Sequence, residues 1–349
     1  MAPPSKREMA TTTTKYPKLP PELLQLVVES VLPANPHALI PLTHSAARTL
    51  LALTRVSRVT YQIASRLLRQ RCLYIETSRR LGSVLLCMHR LVPTLPPTLS
   101  LRHVTSLYLS PFGESLDDQP TAMWVRELLC EVAETLRRLV VQMPFRSLDP
   151  LDDHLSVRRT LREGFEQLTG LEEFVCLGDY PALSVPDGHT DVWRLWPGLR
   201  RLVLFDVPAD SHWLWWDIAT LPRLSHVVLA RPRNLEGVNV KDEYFHKLPR
   251  DHPALGREIR VVLLAAAHEL PEALPVTGWG RIDPEDRMTV EKYIVPMPFY
   301  GDETPAEMVT GWVRRGALDG KLWEWEGERV VGESPPGAMA ATGATNGFT

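Results

Sequence analysis

Six short segments of the chain share one spacing of apolar residues, and this repetition limits what the chain can fold into. In each segment the first, fourth and sixth residues are apolar. Apolar residues at alternate positions are typical of a short strand with one buried face. Successive segments begin 25 to 35 residues apart, which leaves room for a helix between strands. The segments begin at Val104, Leu136, Leu171, Leu199, Leu224 and Ile259.

This spacing resembles the strand signature of leucine-rich repeats, in which strand–helix units stack into a solenoid. The resemblance implies a degenerate form of that fold, because the repeat lengths are unequal and the usual Asn or Cys after the strand is missing. The alternative is an ordinary α/β domain whose strands happen to be apolar at alternate positions. Sustained spacing over six units favours the solenoid.

The stretches between these strands have helical patterns. Apolar spacing predicts helices over Ser78–Leu91, Trp124–Leu136 and Val157–Leu168, with a possible strand at Cys72–Glu76. Five of the ten tryptophans fall within 24 residues around the fourth strand, and we interpret them mainly as core residues.

The repeat lapses after Leu264 and a different pattern follows. The sequence predicts one helix from Thr304 to Arg315 and then a closing pair of strands. A solenoid must cover the apolar face of its last unit, so residues 270–330 are predicted to form a terminal cap.

The stretch from Lys18 to Leu73 predicts three short helices in a small bundle. Pro21 and Glu22 suit the first turn of a helix, where the proline N–H has no partner and a carboxylate complements the helix dipole. Apolar residues then recur at steps of three or four, both before and after a loop rich in proline and histidine.

The stretch contains Leu19-Pro20-x-Glu22-Leu23, then Leu50-Leu51-Ala52-Leu53, and then Val56-Ser57-Arg58 with Tyr61 three residues on. This order of residues resembles an F-box, over about a sixth of the chain. F-boxes bind the Skp-type adaptor of cullin–RING ubiquitin ligases, so the resemblance implies that partner. Pro33–Arg48 is longer than the usual connection between the first two F-box helices, which would alter the adaptor-facing geometry. The alternative is a helical cap on the following domain. The residues expected to dock are Leu19, Pro20, Leu23, Leu24, Val27, Leu50, Leu53, Val56 and Tyr61.

Some of these residues must instead hold the bundle together, and the sequence does not separate the two groups. If the repeat strands line a concave surface, side chains between the inward-pointing ones would face a target protein. The target-binding candidates are Tyr108, Arg138, Gln142, Glu173, Arg201, Phe205 and His226. Paired arginines such as Arg200–Arg201 could bind an acidic or phosphorylated ligand.

Composition and motifs favour a binding protein over an enzyme. A net charge of −3 gives no electrostatic reason to expect nucleic acid as a partner. The chain lacks a P-loop, a G-x-S-x-G turn and an H-E-x-x-H helix, so no catalytic site, cofactor or metal is expected. Asp152, Asp153 and His154 could suggest a metal site, but solvated and helix-capping aspartates are the simpler interpretation.

Cysteine usage and the termini suggest a cytoplasmic or nuclear protein with no membrane partner. The four cysteines are widely spaced in apolar runs and are expected to be buried, reduced thiols. The first residues lack the apolar stretch of a signal peptide, and no apolar run is long enough to span a bilayer.

The fold expected from all this is α/β: a three-helix F-box-like bundle, an irregular leucine-rich-repeat-like solenoid and a C-terminal cap. The boundaries are a disordered start over 1–15, the bundle over 16–74, the repeats over 75–269, the cap over 270–330 and a disordered tail over 331–349. The expected function is target selection for a Skp–cullin–F-box ubiquitin ligase. The alternative is a leucine-rich-repeat interaction scaffold unconnected to ubiquitin, with residues 18–73 as its cap.

Overall fold

The computed structural model describes residues 19–332 except positions 87, 89–100, 102, 150, 184–190, 247–248, 250–251 and 297–301. The predicted disordered start over 1–15, and all but the first two residues of the predicted tail, lie outside these residues. The described chain is α/β, with one nine-stranded sheet whose strands follow one another in chain order. Neighbouring strands are parallel except for the last pair, which is antiparallel.

Helices and strands alternate along most of the described chain. The helices are α1 (Pro21–Glu29), α2 (Ser45–Leu53), α3 (Arg58–Arg71), α4 (Ser78–Leu85), α5 (Gln119–Val132), α6 (Val157–Glu166), α7 (His212–Thr220), α8 (Val240–Phe245), α9 (Trp279–Ile282) and α10 (Pro305–Asp319). The strands are β1 (Tyr74–Ile75), β2 (Ser106–Leu109), β3 (Arg138–Val141), β4 (Glu173–Cys176), β5 (Arg201–Phe205), β6 (His226–Ala230), β7 (Ile259–Ala266), β8 (Met288–Val295) and β9 (Glu328–Arg329).

The six repeated segments form β2 to β7, which confirms the prediction of a strand at each. In the sixth segment the spacing predicts the wrong inward residues, because Val262 and Leu264 pack on the α10 side. The fourth residues of the first five segments and Val261, the third residue of the sixth, are register partners across the sheet, so one apolar column crosses all six strands. Their side chains face the helices and are fully buried, because each is the inward residue of an alternating pair. The column consists of Leu107, Leu139, Phe174, Leu202, Val227 and Val261.

The core on the helix side contains most of the clustered tryptophans, as the sequence indicates. Trp193, Trp196 and Trp215 are fully buried. The indole N–H of Trp196 donates to the Phe165 carbonyl oxygen at 2.9 Å, so its polar atom is satisfied inside the core. Trp213, in contrast, is 68% exposed.

The opposite face of the sheet is covered by α10 and the residues that follow it. Val309 and Val313 of this helix are fully buried against alternate residues of the strands, such as Val140 and Val203. At the first strand, the Arg314 guanidinium donates to the Tyr74 hydroxyl at 2.6 Å. At the other end, the Arg260 side chain donates to the Trp323 carbonyl oxygen at 3.3 Å. The helix and the residues that follow it therefore reach from β1 to β7.

Residues 270–330 extend the sheet at one end and cover one of its faces. β8 and β9 continue the sheet beyond β7, which covers the end of the sixth predicted unit. The helix predicted from Thr304 to Arg315 is present as α10, but it lies on the face that the sequence left open. The sequence pattern could not show this, because α10 and the strands that it covers are far apart in the chain.

The N-terminal helices α1 to α3 form a small bundle with its own core, as predicted. Leu50, Ala47 and Ala64 are completely buried in it. The long connection over Pro33–Arg48 also has a structural role: its Leu39 N–H donates to the Leu318 carbonyl oxygen of α10 at 2.8 Å. The loop therefore ties the bundle to the helix that covers the sheet.

The cysteine prediction is wrong at one position. Cys72 and Cys176 are buried, and burial raises the pKa of Cys72 to about 11. Cys130 is exposed, although Leu128 and Leu129 before it on α5 are completely buried. Cys87 lies outside the described residues.

Candidate interaction surfaces

Apolar side chains are concentrated on the outside of the N-terminal bundle. Among the described residues, nine of the seventeen large apolar side chains that are exposed lie between positions 19 and 61. An exposed apolar cluster on a protein surface marks an interaction site more often than chance exposure does. We call the following set the apolar surface: Leu19, Leu23, Leu26, Val27, Leu51, Val56, Val59 and Tyr61.

Local sequence explains why α1 presents these residues outward. Pro20 is the N-cap and Pro21 the first helical residue, so Leu19 lies just before the start of the helix. Leu19, Leu23 and Val27 follow at steps of four and lie on one side of the helix. They are 56%, 47% and 58% exposed, whereas Val28, the next residue, is 1% exposed and belongs to the bundle core.

The start of α3 adds further exposed apolar residues. Ser57 and Thr60 form a capping box that fixes where the helix begins. Val56, directly before the cap, is 68% exposed, and Tyr61, one turn into the helix, is 38% exposed. α1 and α2 both pack on α3, so these residues belong to the same bundle.

The structure divides the nine candidate docking residues into two groups. Leu19, Pro20, Leu23, Val27, Val56 and Tyr61 are exposed. Leu50 is completely buried and holds the bundle together, while Leu24 and Leu53 are half-buried. Sequence reasoning missed the exposed Leu26, Leu51 and Val59; continuing the helical spacing outward from Leu19 and Leu23 would have found Leu26.

The candidate target-binding residues do not line an open concave surface. Tyr108, Arg138, Glu173 and Phe205 are buried, because α10 covers this face of the sheet. Expecting them on an accessible surface was wrong for this reason. Gln142 is half-buried and accepts a hydrogen bond from the Tyr108 hydroxyl at 2.8 Å.

Four of these candidates do share one row at the amino ends of the strands. Arg138, Glu173, Arg201 and His226 are register partners on successive strands. The Arg138 Nε atom lies 2.5 Å from the Glu173 carboxylate, and both side chains are buried. Arg201 and His226 are only partly covered.

A groove of about 420 Å³ runs along this edge of the sheet. We call it the amino-end groove. The pKa of His226, on its floor, is lowered by burial and by the nearby Arg201 and Arg260 guanidinium groups. The groove is lined by Pro36, His37, Thr105, Ser106, Arg137, Arg138, Glu172, Glu173, Arg200, Arg201, Ser225 and His226.

A second row of charged residues lies at the carboxyl ends of the strands, and its members form ion pairs with one another. In open α/β sheets this edge commonly holds a ligand. Here Arg146 pairs with Asp179 at 2.7 Å and with Asp206 at 3.0 Å. Arg231 reaches Asp206 at 3.4 Å and Glu269 at 2.9 Å. Opposite charges therefore neutralise one another along this edge, beside a cavity of about 750 Å³ that Asp206, Arg231 and Glu269 help to line.

Within the described ranges, no group of three His, Cys, Asp or Glu side chains is placed to hold a metal ion. The Asp153 carboxylate accepts the N–H groups of Val157 at 2.6 Å and Arg158 at 2.9 Å, which confirms helix capping by this aspartate. No helix in the described part of the chain has the length and apolar character needed to cross a membrane.

Comparisons with known proteins leave the family open. The chain matches no protein-family model, and no curated protein is significantly similar to it in sequence.

Proposed function

We propose that this chain is a target receptor for a Skp–cullin–F-box ubiquitin ligase. The helices α1 to α3 act as an F-box that docks on the Skp-type adaptor, and the sheet domain, a degenerate leucine-rich-repeat solenoid, holds the target protein. Cullin joins through the adaptor, and the chain itself carries out no bond chemistry. Tethering raises the effective concentration of target lysines near the ubiquitin-loaded partner.

The exposure of the apolar surface carries this proposal. A docking module keeps apolar side chains uncovered until its partner arrives, whereas a terminal cap buries them against its own domain. Leu19, Leu23 and Val27 are each about half exposed or more on one side of α1. Tyr61 adds an aromatic side chain of the type enriched at binding hot spots.

Charge substitution on the apolar surface tests the docking role. The measurement is a pull-down of the purified full-length chain with the purified Skp-type adaptor. Leu23→Glu combined with Val27→Glu is expected to abolish binding, because two carboxylates would have to enter an apolar contact. Leu151→Glu is the matched control, since Leu151 is 91% exposed and far along the chain from the bundle. It should bind like the unsubstituted protein.

Point variants are preferable to a truncation that starts at Ser78. Such a truncation removes β1, whose Tyr74 ring stacks on Tyr108 at 4.2 Å, and so it exposes part of the sheet. Replacing Leu19 and Pro20 by alanine is a milder test and should weaken adaptor binding while the sheet domain stays folded. If the well-folded full-length chain does not bind the adaptor at all, the ubiquitin role is wrong.

One observation favours a second function, that of an interaction scaffold with α1 to α3 as its cap. The bundle is tied to the sheet domain, because the Leu39 N–H of its long connection donates to the Leu318 carbonyl oxygen of α10 at 2.8 Å. Arg138 also donates to the His37 carbonyl oxygen. Under this alternative, Leu23→Glu with Val27→Glu changes no adaptor binding, because there is none to lose.

A further inference from the structure

The amino-end groove has the length of a short extended peptide. Its lining residues begin at Thr105 and Ser106 on the first of five neighbouring strands and end at Ser225 and His226 on the fifth. Four steps between strands span about 19 Å, since strands lie about 4.8 Å apart. An extended chain of about six residues covers the same distance at roughly 3.3 Å per residue.

The groove also has an excess of positive charge that the protein does not neutralise. Of its four arginines, Arg138 is paired with Glu173 at 2.5 Å, and Arg137 has Glu172 as its nearest carboxylate at 4.0 Å. The groove contains no further carboxylate that could neutralise Arg200 and Arg201. Two positive charges match the charge of about −2 on a phosphate monoester at neutral pH.

The two remaining arginines differ in how they are held. Arg201 lies with its guanidinium 5.6 Å from the centre of the Trp323 ring and 3.4 Å from the Glu173 carboxylate, so its position is fixed on two sides. Arg200 is exposed, and its side chain makes no hydrogen bond or ion pair with any residue that the structure describes. One arginine is thus pre-positioned and the other is free to close on a ligand.

We propose that the amino-end groove binds an extended peptide through a phosphate monoester held by Arg200 and Arg201. Arginine guanidinium groups bind phosphate oxygens through paired, charge-assisted hydrogen bonds. Binding of the peptide does not depend on the ubiquitin role. Only its identity as a target for modification rests on the proposed function.

The test uses the full-length protein and three probes. The first is a library of six-residue peptides with a fixed central phosphoserine, the second is the same library with unmodified serine, and the third is inorganic phosphate. Binding is followed by titration calorimetry. We expect the phosphoserine library to bind at least tenfold more tightly than either of the other probes.

Arg200→Gln is the diagnostic variant, because Arg200 is exposed and its loss leaves no buried group unpaired. It should weaken binding of the phosphoserine library at least tenfold. Arg159→Gln is the matched control: this arginine is on α6, with 76% of its side chain exposed, and is absent from the groove. It removes the same charge and should change binding less than twofold.

Three outcomes would overturn the inference. Equal binding of both peptide libraries would show that the phosphate is not recognised. Equal binding of inorganic phosphate and the phosphoserine library would indicate a site for the free anion. Equal losses in Arg200→Gln and Arg159→Gln would indicate a general charge effect. Adaptor binding measured on the same variants should stay unchanged, which separates failure of this site from failure of the docking role.

Discussion

The two faces of the sheet are both covered, but by elements of very different origin. One face packs against helices such as α5 and α6, each of which lies between the strands it joins in sequence. The other face packs against α10, which comes from the far end of the chain and crosses the sheet as far as β1. In this protein one face of the sheet is therefore covered by local units, whereas the other is covered by a single distant segment.

The faces also differ in chemistry. The helix-side core is formed by a continuous apolar column across six strands. The α10 side combines apolar residues with charged ones, including the buried pair Arg138 and Glu173. Arg138 additionally donates to the Ala317 carbonyl oxygen of α10, so this pair links the sheet to its cover. Charge here provides specific attachment that a purely apolar contact would lack.

The largest expected effect compares one phenylalanine on each face. Phe174 is completely buried on the helix side, with its ring 5.0 Å from Trp196, and Phe205 is completely buried on the α10 side. We expect Phe174→Ala and Phe205→Ala each to lower the free energy of unfolding by about 3–5 kcal/mol. Urea denaturation followed by tryptophan fluorescence measures both. A cost below about 1 kcal/mol for Phe205→Ala alone would mean that α10 does not stay on the sheet.

The buried ion pair gives the next largest effect. Glu173→Ala leaves the Arg138 guanidinium buried without its carboxylate, and we expect a loss of about 3 kcal/mol. Replacing both residues by methionine should cost less, because no charge is then left unpaired. The control is Glu172→Ala: its pair with Arg137 is 4.0 Å long and half exposed, so the loss should stay below about 0.5 kcal/mol. Similar losses for Glu173→Ala and the double variant would contradict this account.

The helix side contains its own buried charge, which makes stability depend on pH. Asp217 of α7 is 4% exposed, and burial raises its pKa to about 7 although Arg194 lies 2.9 Å away. The unfolded chain has an aspartate pKa of about 3.9. Because the folded protein holds this proton to higher pH, its stability falls as the pH rises from about 4 to 7.

The variant Asp217→Asn tests whether Asp217 causes this pH dependence. Between pH 5 and pH 8, we expect the unsubstituted protein to lose about 2 kcal/mol of stability through Asp217. Asp217→Asn cannot ionise and should remove most of this slope in urea titrations at the two pH values. An equally steep slope in the variant would assign the pH dependence to other groups.

Sequence reasoning succeeds where the information is local. Alternation at Leu107 and Leu109 marks a strand regardless of what lies elsewhere, so all six strands of the repeat could be predicted. Which face of α10 would be buried, and against what, depends on contacts such as that of Arg314 with Tyr74, separated by 240 positions. The sequence could not show for the same reason that Tyr108 and Phe205, two of the predicted target-binding residues, are hidden by a segment that no local pattern connects to them.

The candidate sites show the same difference between local and long-range information. Helical spacing identified Leu19, Leu23 and Val27 as surface candidates, but it placed Leu50 among them, because an apolar residue has the same appearance in a core and on a docking surface. The excess charge at Arg200 and Arg201 depended on knowing that Arg138 is already paired with Glu173, which only the folded register reveals.

The smallest expected effect concerns the packing of Trp325 on α10, and two glycines of this helix test it. A Cβ atom at Gly316 would lie 2.2 Å from the Trp325 ring, whereas one at Gly311 would meet nothing within 4 Å. Alanine normally stabilises a helix interior by about 1 kcal/mol relative to glycine.

Gly311→Ala should therefore stabilise the protein by about 0.5–1 kcal/mol, while Gly316→Ala should destabilise it by about 1–2 kcal/mol, because the Trp325 ring must move. Thermal unfolding of the two variants beside the unsubstituted protein gives both signs. Trp325 stacks on Tyr293 of β8 at 5.3 Å, so displacing it also loosens the far edge of the sheet. If both substitutions stabilise equally, Trp325 is not packed on α10, and the second face of the sheet is held by the helix alone.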